Sequence, residues 1–478
     1  MRSNITRHLG ALFSHDVPHL AMARATIRAT APLVPQISLP REFSWHDYAV
    51  YLLHIAAEIE HSLMIQYLYA AYSLGGPSVP AGKQAEVLEW QDAILAIAKE
   101  EMGHLLTVQN VLRLIGGSLN LNREDFPWDV PFYPYPFALE PLTRTSLAKY
   151  VFAEAPAQWP PDVTQAERDE IEAAVHSTPT AMPHRVGELY DLMIALLSDR
   201  PALPDSIFRE ETVPYQASFD EWTRNKGGTP APGPGPTLLV QRVASRTDAV
   251  NALTLIARQG ESPEDDPKVQ EISHFRRFLA VFRAFPGAQS GSPPTWQVPS
   301  NPQAPGQYGS DAGPMIEHPE AGLWALLFNI RYRMLLTYLA HSFRISSASS
   351  TMGAANPRSL IIQRTFNEMY NLRGIAGILV QLPLKNDKDD ERAGPPFQIP
   401  YSMKLPAEEA DCWRVHLDLI EASSRLQDAI SAIPYNPRAS YAATLRSVDL
   451  GARRQLELLA GSARRDQEKA PAGRKIAI

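Results

Sequence analysis

Apolar residues recur at i, i+3, i+4 and i+7 through most of this chain, and few segments alternate with period two. The first pattern lines one face of a 3.6-residue helix. It predicts helices over Trp45–Leu74, Ala85–Ile115, Thr143–Ala153, Pro183–Ser198, Thr247–Gln259, Lys268–Ala284, Ala321–Phe343, Arg358–Gln381, Pro406–Ile433 and Ser440–Glu468. Between them run proline- and glycine-rich stretches, among them GGPSVPAG (Gly75–Gly82), DFPWDVPFYPYPF (Asp125–Phe137) and a long one over Pro286–Pro314. Proline inside a helix costs ~3 kcal/mol or more, so these are connections. The fold class is all-α, with a soft boundary inside Pro286–Pro314.

Several acids break the pattern. One turn from Glu60 stand Ala56, Ala57, Leu63 and Met64, which puts its carboxylate on the apolar stripe of the first long helix. Glu101 has Ile97 and Ala98 one turn before it and Leu105 one turn after, with His104 on the same face. Glu58, Glu100 and Asp191 read as solvated or supporting. A buried lone carboxylate is costly, and a cation is one remedy. One Glu from one helix and Glu-x-x-His from the next make the half-site of ferritin-like dinuclear metal proteins. A turn at Gly75–Gly82 makes the two helices a hairpin. Glu60 precedes Gly75 by 15 residues and Glu101 follows Ala85 by 16. Both acids then lie ~22 to 24 Å from the turn, at the same depth.

A second copy is expected further on. Glu188 is followed on its face by Leu192 and Ala195, and Glu271-x-x-His274 is followed by Phe275, Phe278 and Val281. The candidate ligand order is Glu60, Glu101 and His104, Glu188, Glu271 and His274. Four carboxylates would offset the charge of two divalent ions. Tyr67 reads as a core residue that lines the site at most. His341 reads as a packed histidine rather than an axial haem ligand, so haem is not expected.

Composition narrows the function classes. Net charge is −7, from 45 basic and 52 acidic residues, which gives no electrostatic footprint for nucleic acid. No apolar run reaches the ~18 to 20 residues of a membrane span. The single cysteine, Cys412, requires no oxidising compartment. A soluble, cytoplasmic protein is the expectation. Its partners would be a small-molecule substrate and an electron donor; the oligomeric state stays open.

EIEHSLMIQYLYAAYSL, IAKEEMGHLLTVQNVLRLIGG, VGELYDLMIALL, LIARQGES and EISHFRRF occur in this order between Glu58 and Phe285. As a set they resemble the ferritin-like domain of the iminophenyl-pyruvate dimer synthase family. That group includes large enzymes of violacein and indolocarbazole biosynthesis, which couple two oxidised tryptophan-derived imines. AGPPFQIP (Ala393–Pro400) resembles a further family element. The resemblance implies metal-binding roles for Glu60, Glu101, His104, Glu188, Glu271 and His274. It also draws attention to Glu261, at a break in the fourth bundle helix, as an additional ligand or an exposed acid. The pathway enzymes are much longer and carry additional domains, and a shared fold does not transfer a substrate.

The domain reading is an N-terminal arm (1–44), a ferritin-like four-helix bundle (45–285), a proline-rich loop (286–315) and additional C-terminal helices packed on the bundle (316–478). The expected function is a non-haem di-iron oxidoreductase of specialised metabolism. It would use dioxygen or peroxide on an amino-acid-derived or aromatic small molecule. Two iron ions (Fe2+/Fe3+) are the expected cofactor, and imidazole with carboxylate also suits manganese. The aromatic stretch Phe126–Phe137 and Trp296 either form a lid over a small organic substrate or are surface connections. The alternative is a non-catalytic ferritin-like protein that handles metal or peroxide.

Overall fold

A computed structural model describes residues 39, 41–124, 126, 135–176, 185–222, 240–261, 272–287, 293–306, 313–348, 356–388, 390–399 and 403–469. Among them are twelve α-helices and isolated β-bridges, without a strand. No described helix is long and apolar enough to cross a membrane. The chain divides into two units, Met1–Asn301 and Pro302–Ile478.

The first unit holds α1 (Trp45–Ser73), α2 (Gln84–Leu114), α3 (Arg144–Ala153), α4 (Gln165–His176), α5 (Val186–Ser198), α6 (Phe219–Trp222), α7 (Arg246–Glu261) and α8 (His274–Ala284). Helix α1 packs on α2 and α5, and α7 packs on α2 and α5, which closes a four-helix bundle. Helix α8 packs on α2, α3 and α7. Ser44 starts α1 with a reciprocal capping box to Asp47, and Thr143 does the same for α3 with Ser146. The stripe of α2 is buried as its period requires, with Ile94, Ile97, Leu105, Val108 and Leu112 at most 1% exposed. Each such side chain contributes about 1.5–3 kcal/mol.

The turn between α1 and α2 bends at Gly75 and Gly76, both at positive φ (111° and 86°). A Cβ on Gly76 would sit 2.8 Å from the Trp296 ring. Trp296 is therefore packed on the hairpin turn, and its backbone N–H donates to the Ser73 carbonyl (2.8 Å). Glu60 lies 15 residues from Gly75, about 22 Å along the helix, so Trp296 takes the place of a connection at the turn, the second of the two readings, and not of a lid over that acid. Most of Phe126–Phe137 lies outside the described residues.

Two departures from the periodic reading have physical reasons. Helix α4 buries only Ile171 and Val175, too few apolar positions to reveal a period. Helix α11 begins at Glu409, past the prolines and turn residues near Pro406. Lys268–Glu271, read as the start of a helix, lies outside the described residues.

The second unit is built from α9 (Pro319–Ser342), α10 (Pro357–Leu379), α11 (Glu409–Ser431) and α12 (Ala439–Lys469). Met334, Tyr338, Ile361, Trp413, Ile420 and Leu456 form its core. The AGPPFQIP segment is buried up to Ile399. Phe397, at φ 48°, meets Phe328 and Tyr332 edge-on at 4.7 and 5.4 Å.

Arg331 of α9 is fully buried between Glu368 of α10 (3.1 Å) and Asp449 of α12 (2.6 Å). Gln427 of α11 donates to the same Asp449 carboxylate (2.8 Å). One charge network thus ties all four helices. Arg331→Met leaves two buried carboxylates without their cation, and should cost about 3–5 kcal/mol in chemical denaturation. Adding Glu368→Met and Asp449→Leu should recover most of that loss.

Candidate metal centre

Glu60, Glu101 and His104 come from the middles of α1 and α2, where the apolar stripes force them inward; they are 1%, 2% and 2% exposed. His104 Nδ1 lies 2.9 Å from Glu101 Oε2 and 3.3 Å from Glu60 Oε2. The hairpin does bring the two acids to one depth. His274, the first residue of α8, is fully buried, with Nδ1 2.8 Å from Glu101 Oε1 and 3.7 Å from Glu154 Oε2.

Two triads result, Glu60–Glu101–His104 and Glu101–Glu154–His274, and within each the ligand atoms lie within 4.8 Å of one another. Glu101 belongs to both, one oxygen toward each histidine. The rings of His104 and His274 stack with centroids 5.4 Å apart.

The second triad differs from the sequence expectation. Glu188 sits at the third position of α5, and its Oε1 accepts the backbone N–H of Arg185 (3.2 Å). The buried face of α5 runs through Leu189, Tyr190, Met193, Leu196 and Leu197, which leaves Glu188, Leu192 and Ala195 half-buried on another side. Helix α5 is apolar nearly all round, so its period did not reveal which face turns inward. Tyr190 is the α5 residue that reaches the cluster, and its hydroxyl donates to Glu60 Oε1.

The acid in the second triad is Glu154, which terminates α3 as its C-cap and is 3% exposed. Tyr67 donates to its Oε1 (2.6 Å), so this tyrosine touches the centre rather than plain core. Glu271 lies outside the described residues. Glu261 is the last residue of α7, and its side chain also lies outside them.

Supporting contacts orient both imidazoles. His104 Nε2 donates to Gln259 Oε1 (2.8 Å), and His274 Nε2 donates to Glu100 Oε2 (2.8 Å). Arg277 pairs with Glu100 in turn. Both Nδ1 atoms are thereby turned toward the carboxylates, an arrangement typical of ligating histidines. Glu100 and Glu58, read as solvated or supporting, are both buried, and Glu100 takes the supporting place; Glu58 accepts from Asn120 Nδ2 (2.8 Å).

The electrostatics show what the pocket lacks. Burial, reinforced by Glu101, pushes the Glu60 carboxyl up to about 8. Burial alone would lower His104, but Glu101 and Glu60 overcome it and raise it to about 10. His274 is likewise held well above its ordinary value by Glu101, Glu100 and Glu154. Glu101 stays well below the carboxylate range despite burial, because both histidines flank it. Protons thus stand in for cations.

Even so, Glu60 Oε2, Glu101 Oε1 and His274 Nδ1 make only ion-pair contacts within the cluster, none with hydrogen-bond geometry. Three buried ligand-type atoms whose only partners are other members of the cluster fit a cation pair. Glu60, Glu101 and His104 would hold one ion, and Glu101, Glu154 and His274 the other. A small, partly open cleft adjoins them, lined by Leu63, Val186, Gly187, Ile256, Ala257 and Gly260. A Cβ on Gly260 would come within 3.1 Å of Glu154 Oε2.

Two predictions follow from this geometry. Iron content should fall from about two ions per chain to about one in Glu154→Ala, and stay unchanged in Glu188→Ala, as read by elemental analysis. The second concerns pH. The raised His104 value stabilises the metal-free fold below 6.5, and that contribution is lost as pH rises toward about 10; His274, also raised, acts in the same direction. The raised Glu60 value acts in the same direction between 4.5 and about 8. In chelator, the thermal midpoint should therefore fall with rising pH above about 6.5. Divalent metal, which displaces those protons, should bind more tightly over the same interval.

Residues 53–283 match the family described as Ferritin-like. The chain is 26% identical over 375 residues to dichlorochromopyrrolate synthase of Lentzea aerocolonigenes, covering 71% of this chain and 35% of that protein. It is 25% identical over 378 residues to 2-imino-3-(indol-3-yl)propanoate dimerase of Chromobacterium violaceum, covering 73% of this chain and 33% of the relative. The chain thus spans about a third of the length of these curated relatives. No solved structure matches it. The four-helix bundle, the buried carboxylate–histidine cluster inside it and the family match agree, and the chain carries a ferritin-like domain over residues 53–283.

Proposed function

We propose that this protein is a non-haem dinuclear-metal oxidoreductase of specialised metabolism. Its substrate is an α-amino or α-imino acid with an aromatic side chain. The observation that carries the reading is the pair of buried triads sharing Glu101. The relatives support the substrate class, since one is named for dimerising 2-imino-3-(indol-3-yl)propanoate and the other for making dichlorochromopyrrolate. Two bound iron ions would supply redox chemistry with dioxygen or peroxide.

The chain's own residues prepare the site. Tyr190 and Tyr67 each hold one outer carboxylate, Glu60 and Glu154, in a fixed rotamer. Gln259 and Glu100 keep both histidines with Nδ1 inward. Leu63, Val186 and Ile256 give the cleft beside the triads an apolar wall. Gly187 and Gly260 leave the approach without side-chain bulk.

Oxidant uptake tests the proposal. Protein loaded with about two ferrous ions per chain should consume dioxygen or peroxide at least about tenfold faster with the imine of indole-3-pyruvate present, a barrier change of roughly 1.4 kcal/mol. Glu101→Ala, which removes the shared ligand, should abolish that acceleration. Accumulation of many ions per chain, with uptake indifferent to the organic compound, would overturn the reading in favour of metal storage.

A further inference from the structure

The second unit brings together ligand-type side chains that the carboxylate–histidine centre does not use. His341 lies in the last turn of α9, fully buried, while Glu409 and Cys412 lie in the first turn of α11. We propose that His341, Glu409 and Cys412 form a separate mononuclear site for a borderline divalent transition metal of the Zn2+ class.

The three ligand atoms, an imidazole nitrogen, a carboxylate oxygen and Cys412 Sγ, lie within 4.8 Å of one another. His341 Nε2 is 2.8 Å from Glu409 Oε1. The i, i+3 spacing of Glu409 and Cys412 puts both on one helical face, opposite the histidine. An ion there joins the end of α9 to the start of α11.

The surroundings suit a ligating histidine. His341 Nδ1 lies 2.8 Å from Nε2 of His416, one turn beyond Cys412, so a second imidazole fixes the ring with Nε2 toward the ion. The two rings stack at 5.1 Å, and Trp413 packs edge-on against His341 at 4.6 Å.

The proton balance also closes. The Cys412 thiol donates to the Pro406 carbonyl at 3.3 Å. Metal binding breaks the S–H bond, forms a metal–sulfur bond and releases one proton to solvent, with no change of oxidation state. Pro406 keeps a donor, because Arg344 Nη1 also reaches its carbonyl. The same guanidinium lies 3.2 Å from Sγ and partly offsets the burial that otherwise holds the thiol protonated, so the thiolate forms only with the metal. Thiolate and carboxylate together balance a divalent charge. The Glu409 side chain is 42% exposed, which gives an ion and a water ligand a route from solvent. A thiolate donor selects zinc or cobalt over the hard cations that carboxylates favour.

Cobalt titration of the metal-stripped full chain tests this. Cys412 is the chain's single cysteine, so any thiolate-to-cobalt charge-transfer band must arise from it. The near-ultraviolet band should reach the intensity of one thiolate-bound cobalt per chain, vanish on adding zinc, and be absent in Cys412→Ser. Glu409→Gln, at a partly exposed position that preserves the fold, should keep the band but weaken cobalt binding about tenfold or more. A wild-type protein without a thiolate band at saturating cobalt would overturn the proposal, as would unchanged affinity in Glu409→Gln. The carboxylate–histidine centre contains no sulfur, so its success or failure is read separately, from ions bound without that band.

Discussion

Buried negative charge needs a counterweight, and the first unit is organised around that need. Three carboxylates and two imidazoles meet inside the bundle, in surroundings supplied by Leu63, Ile256 and Tyr190. Without a cation, protonated histidines and a neutral Glu60 carry the balance. The depth of α1 against α2, the capping of α3 by Glu154 and the placement of α8 all serve to bring these groups to one point. The second unit meets a comparable problem differently, with Arg331 as a permanent covalent cation between Glu368 and Asp449.

The legible parts of this architecture are those with a period. Long amphipathic helices announced themselves, and Glu60, Glu101 and His104 stood out because each interrupts an apolar stripe at mid-helix. Equal spacing from the Gly75–Gly82 turn was enough to set the two acids side by side. His274 could be read because Phe275, Phe278 and Val281 mark the inward face of α8.

Glu154 was hidden because it follows the last turn of a ten-residue helix, where no period extends. One signal was present: between Lys149 and Asp162 it is the sole charged residue, flanked by Ala153 and Ala155. Glu188 attracted attention for the opposite reason, since α5 is apolar on nearly every side. There the choice of face was decided by packing against α1 and α7, which local sequence does not encode. The tyrosine hydroxyls that hold the outer carboxylates looked like ordinary core for the same reason.

One asymmetry of the cluster carries a mechanical consequence. Glu60, Glu101 and His104 are braced on both sides by complete helical turns, whereas Glu154 and His274 sit at a helix end and a helix start. Terminal turns lack part of their hydrogen-bond ladder and yield first under load. One flank of the centre is therefore held by continuous helix and the other by two helix ends. Rearrangement around a guest molecule would be taken up on the α3–α8 side while the α1–α2 side stays still.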